Sequence, residues 1–280
     1  MNSSLDHIQS EAKEMLVLHE RNLAYWQEKT PALVKMFAGR ESKPELSGIA
    51  WMEDGEINVR VGDHWQYEPN ARAYAQKQVE KFQLSPSRVV FAKPNTTDAE
   101  PRDRVDEIPG ENHITRKFDN KADDFHFARF AAAANQAFGA AGLEISEKIS
   151  RKQPCYLVIY GIGLGYHIRP LIEHYQPEVV VLIDSTVDAV WRSTFTLDWR
   201  EVNDYCSEKD IRVKLIIDGD ARPIVQRLGG IIHGEGLLGL DGVISLLHQN
   251  DPVLKVAFND FQSPKTANLA SFIGFITDEY

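Results

Sequence analysis

Residues 155–184 constrain the chain more than any other stretch. Cys155-Tyr156-Leu157-Val158-Ile159-Tyr160 is an unbroken apolar run, as a strand buried on both faces of a parallel sheet requires. It runs into Gly161-Ile162-Gly163-Leu164-Gly165. Helical spacing follows at Ile168, Leu171, Ile172 and Tyr175, and Pro177 closes it. A second apolar run, Val179–Ile183, ends at Asp184, 23 positions after Gly161. Strand, glycine turn, helix, then a strand ending in an acid is the mononucleotide-binding arrangement. It predicts an α/β chain with a Rossmann-like, doubly wound, mostly parallel sheet.

Each part has a chemical reason. Gly161 permits a sharp strand-to-helix turn, Gly163 lets backbone approach a ligand, and Gly165 allows close helix–strand contact. The helix N-terminus offers N–H groups to an anion, and Asp184 can accept hydrogen bonds from a ribose diol. The spacing is GxGxG, because Tyr166 and His167 follow Gly165. That spacing is similar to S-adenosylmethionine-binding methyltransferases, in which Asp220 would meet the adenine amine. Ile159 opposes this reading: such enzymes usually carry an acid two residues before the first glycine.

Further along, Val187–Trp199 has helical spacing, and Val213–Ile217, Val243–Leu247 and Val253–Phe258 read as strands. Residues 264–276 read as a closing helix. Gly229, Gly230, Gly234, Gly236, Gly239 and Gly242 make 229–242 a surface loop, or, with His233 and Glu235 in it, a lid. His167 and His174 lie seven apart, but no third ligand has metal-site spacing. There is no HExxH, GxSxG or Walker lysine in the chain.

Residues 1–150 read as a smaller cap of helices and a small sheet, with a boundary near 148–153. Leu5, Ile8, Ala12, Met15, Leu16, Leu23 and Trp26 form a helical stripe over 4–28, with Ser3 or Ser4 as its cap. Thr30-Pro31 starts a short helix carrying Leu33, Met36 and Phe37, ended by Gly39. Ile49–Met52 and Ile57–Val61 flank Asp54-Gly55, a hairpin signal suited to a tight turn with positive φ at both central residues. Residues 70–83 return to helical spacing, and 89–92 read as a strand. Residues 93–112 read as a long exposed loop, and 118–147 as a helix or two. Trp51 and Trp65 are expected in the core.

Composition limits the partners. The net charge is −10, shared evenly by residues 1–150 and 151–280. A chain with no basic half is a poor candidate for nucleic acid or an anionic membrane surface. Cys155 and Cys206 are the only cysteines, too few for a disulfide framework. The N-terminal residues carry no apolar signal-peptide region. A cytoplasmic, globular protein is expected, with no cofactor required by the sequence; its oligomeric state is not encoded in any motif.

The GIGLGYHI stretch carries a resemblance. Gly161, Gly163, Gly165, Tyr166 and His167, followed by the strand ending at Asp184, resemble the N-terminal region of the motility accessory factor (Maf) family of bacterial flagellin glycosyltransferases. Asp198-Trp199 matches that family's Asp-Trp pair, and Asn22-Leu23 with Thr30-Pro31-Ala32-Leu33 resembles its opening helices. The resemblance implies a part in bacterial motility: transfer of a nonulosonic acid from a CMP-sugar to Ser or Thr of flagellin, with flagellin as partner. The family's transferase chemistry is attributed to a central domain with a Gly-Pro-Ser-Leu loop, and no such tetrapeptide occurs here. No catalytic residue is therefore carried over. The chain is expected to be a fragment of a longer enzyme or a free-standing relative. Gly161, Gly163, Gly165, Tyr166, His167, Asp184 and Asp220 stand as candidate binding positions, for a nucleotide-sugar or for S-adenosylmethionine. The rival to both is a non-catalytic docking module whose glycine turn is blocked by Tyr166 or a neighbouring side chain.

Overall fold

The computed structural model describes residues 2–38, 48–61, 63–89, 154–235 and 243–262. The expected loop at 93–112, the helices at 118–147 and 264–276, the boundary at 148–153 and Gly39 lie outside the described residues.

The Rossmann-like sheet is present. β5 (Tyr156–Tyr160), β6 (Val179–Asp184), β7 (Arg212–Ile217) and β8 (Val243–Leu247) run parallel in the order β8-β5-β6-β7. β4 (Arg88–Val89) adds antiparallel to the outside of β8. The order reverses between β5 and β8. The chain leaves β5 towards β6 on one side, while β8 returns on the other. In open α/β sheets, that reversal, at the carboxyl ends of the strands, is where ligands bind.

Alternation along β5 divides the core. Leu157 and Ile159 face a layer made by α4 (Ile168–Tyr175), α5 (Val187–Ser193), α6 (Trp199–Glu208) and residues of α2 (Pro31–Phe37) and α3 (Ala71–Leu84). Tyr156, Val158 and Tyr160 face α7 (Ala221–Gly234) and α8 (Pro252–Gln262). Residues from both sides of the expected boundary thus share one core. The N-terminal segment opens with α1 (Asn2–Lys29) and carries a three-stranded antiparallel sheet of β1 (Ile49–Trp51), β2 (Ile57–Val61) and β3 (His64–Trp65).

Several local expectations are corrected. Val253–Phe258 is helical, within α8: Leu254, Ala257 and Phe261 are buried at helical spacing, and Asp251 Oδ1 accepts the Leu254 N–H at 3.0 Å. Asp251-Pro252 is a helix start, with proline at the first position. Gly229, Gly230 and Gly234 lie in α7 rather than a loop. Ile224, Leu228 and Ile232 on that helix are 0–4% exposed. Each such burial contributes roughly 1.5–3 kcal/mol, against ~1 kcal/mol lost per helical glycine. Glu235 bridges Arg212 and Lys214 of β7. The helical spacing over 187–199 is split by a turn at 194–198. On α1, Leu16 is exposed, and the buried line runs through Met15, His19 and Asn22. α1 already begins at Asn2, ahead of Ser3 and Ser4. Trp65 is exposed and Trp51 half-buried.

The hairpin exists, but only Gly55 has positive φ (+84°). The Gly55 N–H reaches Met52 O at 3.0 Å, and Met52 N–H reaches Glu56 O at 2.8 Å. Glu53-Asp54 therefore form the turn, and Gly55 takes the left-handed position after it, a longer connection than the two-residue kind.

Candidate functional site

The glycine turn stands at the carboxyl end of β5, beside the point where the strand order reverses. Gly161, Gly163 and Gly165 have φ of +102°, +54° and +80°. Gly161 N–H continues the β5–β6 ladder to Ile183 O at 2.8 Å, and His248 N–H continues the β5–β8 ladder to Tyr160 O at 2.8 Å. The turn and the residues after β8 are thereby held against each other.

The space above the glycines is filled by the chain itself. A Cβ at Gly161 would stand 2.9 Å from Gln249 Cγ. One at Gly163 would clash with the Tyr67 hydroxyl and stand 2.7 Å from Gln249 Nε2. The close approach that glycine permits here is thus used by Tyr67 and Gln249, whose amide donates to Tyr67 Oη at 2.9 Å. A Cβ at Gly165 would meet Leu197 at 2.9 Å: the third glycine makes room for the turn at 194–198, not for the helix–strand contact expected of it. Among the described residues, depressions of about 420 and 460 Å³ lie away from the turn, one beside Gln176, Lys209 and Arg212 and one along α1.

Asp184 is 2% exposed. Its Oδ2 accepts the Ile162 N–H at 2.8 Å and its Oδ1 the Thr186 N–H at 3.2 Å. The carboxylate braces the turn from inside. Burial raises its pKa to about 6, against the lowering effect of those two N–H groups and of Arg192; Asp251 adds to the rise. Tyr166 lies under the Arg72 guanidinium, 5.5 Å from the ring centre. Asp220 is apart from these residues. It is exposed, and its Oδ1 accepts the Arg222 N–H at 3.0 Å at the start of α7.

His167 and His248 form a stack, with ring centres 3.5 Å apart and planes 18° apart; they are 0% and 3% exposed. Their hydrogen bonds fix both tautomers. His167 Nε2–H donates to Gly161 O at 3.1 Å, which leaves Nδ1 as a buried acceptor without a partner. Gln78 Nε2 donates to Tyr74 Oη (2.7 Å) and His248 O (3.2 Å), so its Oε1 accepts from His248 Nδ1–H at 2.6 Å. Burial holds both rings neutral. His167 is lowered to about 3 in spite of its Gly161 bond, and His248 well below its ordinary value, with His167 adding to the effect. His174, by contrast, is exposed and is not part of this cluster.

Sequence reading did not pick out Tyr67, Gln78, His248 or Gln249. His248 and Gln249 carry a usable signal: they follow the strand paired with β5 on the side away from β6, so the strand order puts them at the turn. Tyr67 has none. Asn58 holds it in place through Nδ2 to Tyr67 O (2.7 Å) and Oδ1 from Tyr67 N–H (3.2 Å).

The other matched residues of the expected resemblance form a second junction. Asn22 is fully buried and donates to Thr194 O and Leu197 O, both at 2.8 Å, while accepting the Trp199 N–H at 3.0 Å. Asp198 caps α6 through the Glu201 N–H at 3.1 Å and pairs with Arg21.

The sequence matches the model of the glycosyltransferase Maf N-terminal domain over residues 18–268. The chain belongs to this Maf N-terminal family. A solved Maf glycosyltransferase from Magnetospirillum magneticum AMB-1 has a similar fold, with a TM-score of 0.60 and 21% identity, over 91% of this chain and 35% of that one. The chain thus spans about a third of the length of that enzyme. No curated protein matches it. Within the Maf family fold, the described residues contain no helix long and apolar enough to cross a membrane.

Proposed function

We propose that this chain is the N-terminal, acceptor-docking region of a cytoplasmic glycosylation system that transfers a nonulosonic acid from a CMP-sugar to Ser or Thr of flagellin. The observation that carries the reading is the family match across residues 18–268. The docking part is supported by the glycine turn, whose approach is taken by Tyr67 and Gln249. In this reading the nucleotide-type sheet is a scaffold, Asp184 holds the turn, and the sugar nucleotide binds in other parts of the system. Gly161, Gly163, Gly165, Tyr166 and His167 then build the joint rather than a cofactor cradle. Asp220 remains a surface carboxylate open to a partner.

The test is genetic and reads a mass. In the source organism, deletion of the segment encoding these residues is expected to yield flagellin lacking the mass of the sugar, and cells that swim poorly. Flagellin of unchanged mass would overturn the proposal.

A further inference from the structure

The stacked imidazoles lie where three parts of the chain meet. His167 belongs to the glycine turn, His248 follows β8, and Gln78 and Tyr74 come from α3. Tyr67 closes the same place, its ring 5.7 Å from that of His248. The titratable groups against the stack are Tyr67 from the segment after β3 and Tyr74 from α3; Asp184 of β6 braces the same turn through Ile162, with Arg192 of α5 and Asp251 ahead of α8 acting on that carboxylate. His248 makes its side-chain bond to the neutral Gln78 amide, not to a carboxylate. A second proton on one ring would leave a charged N–H buried, and one on each would put two cations face to face.

We propose that this joint is an acid-opened latch: protonation of the His167–His248 stack detaches residues 66–78 from the glycine turn while the parallel sheet stays folded. The direction of opening follows from packing. Beneath the stack are the paired strands with a large aliphatic core on both faces. Above it, Tyr67 and Ala71 belong to a small cluster with Met15, Ile57, Val59 and Leu164, and α3 is anchored in the large core only beyond residue 78, by Val79 and Phe82. The region with the smaller buried apolar contact separates first. Each imidazole freed at its ordinary pKa of about 6.5 multiplies the opening constant about tenfold per pH unit below that value. Asp184, if freed as well, takes back roughly tenfold of the total by giving up its raised pKa.

The latch does not depend on the identity of the acceptor. Hydrogen exchange on the full chain tests it, at about pH 7.5 and about pH 5, with rates corrected for their intrinsic pH dependence. Amides of residues 66–78 and 161–167 are expected to lose roughly a hundredfold of protection in acid, while those of 156–160 and 179–184 keep theirs. Equal loss in both sets, or loss in neither, would overturn the proposal. In His248→Gln, which keeps a donor for Gln78 and removes one titration, the acid loss is expected to be smaller by roughly tenfold or more. A loss equal to that of the parent would also overturn it. Should the variant not fold, the comparison of the two amide sets in the parent decides.

Discussion

α1 meets the turn between α5 and α6 through Asn22, whereas Tyr67 and α3 meet the end of the sheet through His248. At the first joint, an uncharged amide satisfies three backbone groups, and His19 beside it donates to Thr194 Oγ1 at 2.6 Å and stacks on Phe195 at 3.9 Å. At the second joint, two imidazoles stack on each other, one nitrogen has no partner, and a carboxylate lies buried nearby. Asn22 and His19 at the one, and His167 and His248 at the other, are buried. The joints differ in what a change of pH or of one atom does to them. The Asn22 amide is sensitive to truncation, whereas the imidazoles, His19 beside it as well as the His167–His248 stack, are sensitive to protons.

The largest expected effect follows from proton linkage. His167 and His19 have folded pKa values of about 3 and about 4, and His248 is lowered as well. A depressed histidine pKa means that the unfolded chain takes up a proton the folded chain refuses. The stability it contributes is complete above about pH 6.5 and is lost below it. Asp184 has the opposite sign: its raised pKa of about 6 favours the folded state as pH falls from about 7 towards about 4. Three protons against one leave a net uptake of about two on unfolding, or roughly 2–3 kcal/mol lost per pH unit between about pH 6 and 5. Urea unfolding across that interval measures it. A flat or rising stability would contradict the proton linkage of the three buried imidazoles, His19 at one joint and the stack at the other.

Asn22→Leu tests the amide joint. It strands Thr194 O, Leu197 O and the Trp199 N–H in a buried site, at a cost of about 3 kcal/mol. The loss should be the same at pH 8 and pH 6, to within about 0.5 kcal/mol. A strongly pH-dependent loss would show that the Asn22 clamp is coupled to a buried imidazole, His19 through Thr194 in the first place.

Gly163→Ala is smaller, about 2 kcal/mol, from positive φ and the clash with Tyr67 and Gln249. Combined with Tyr67→Phe, it should cost less than the sum of the two, because the hydroxyl in the way is gone. Strict additivity would place Tyr67 away from the turn. Tyr67→Phe alone removes the hydroxyl that accepts from Gln249, for about 1 kcal/mol, which a shift in urea midpoint reads directly.

The sequence made the sheet legible because its signals are local. Unbroken apolar runs at 156–160 and 179–184, and glycines between them, give strand, turn and strand without tertiary information. Where a run is short, the same kind of signal misleads. Val253–Phe258 looks like a strand until Asp251-Pro252 is read as a cap. The glycines of 229–234 look like a loop until Ile224, Leu228 and Ile232 are seen at helical spacing. The candidate site was legible on one side only. Gly161, Gly163, Gly165, His167 and Asp184 carry the fingerprint and do come together. What fills the turn comes from sequence about 90 positions away on either side: Gln249 is reachable only through the strand order, and Tyr67 through no pattern at all. The polar clamp of Asn22 was hidden differently, since a buried amide breaks the apolar stripe by which a helix face is recognised.

The most direct test asks whether the glycine turn receives a nucleotide or is already full. Thermal unfolding of the chain with CMP, S-adenosylhomocysteine or NAD, each in large excess, decides it. A ligand at about 100 times its dissociation constant stabilises by ~2.7 kcal/mol, on the order of 5–10 °C for a chain of this size. A turn closed by Tyr67 and Gln249 predicts no shift with any of the three. A rise of that size with one of them, abolished by Gly163→Ala, would contradict the account.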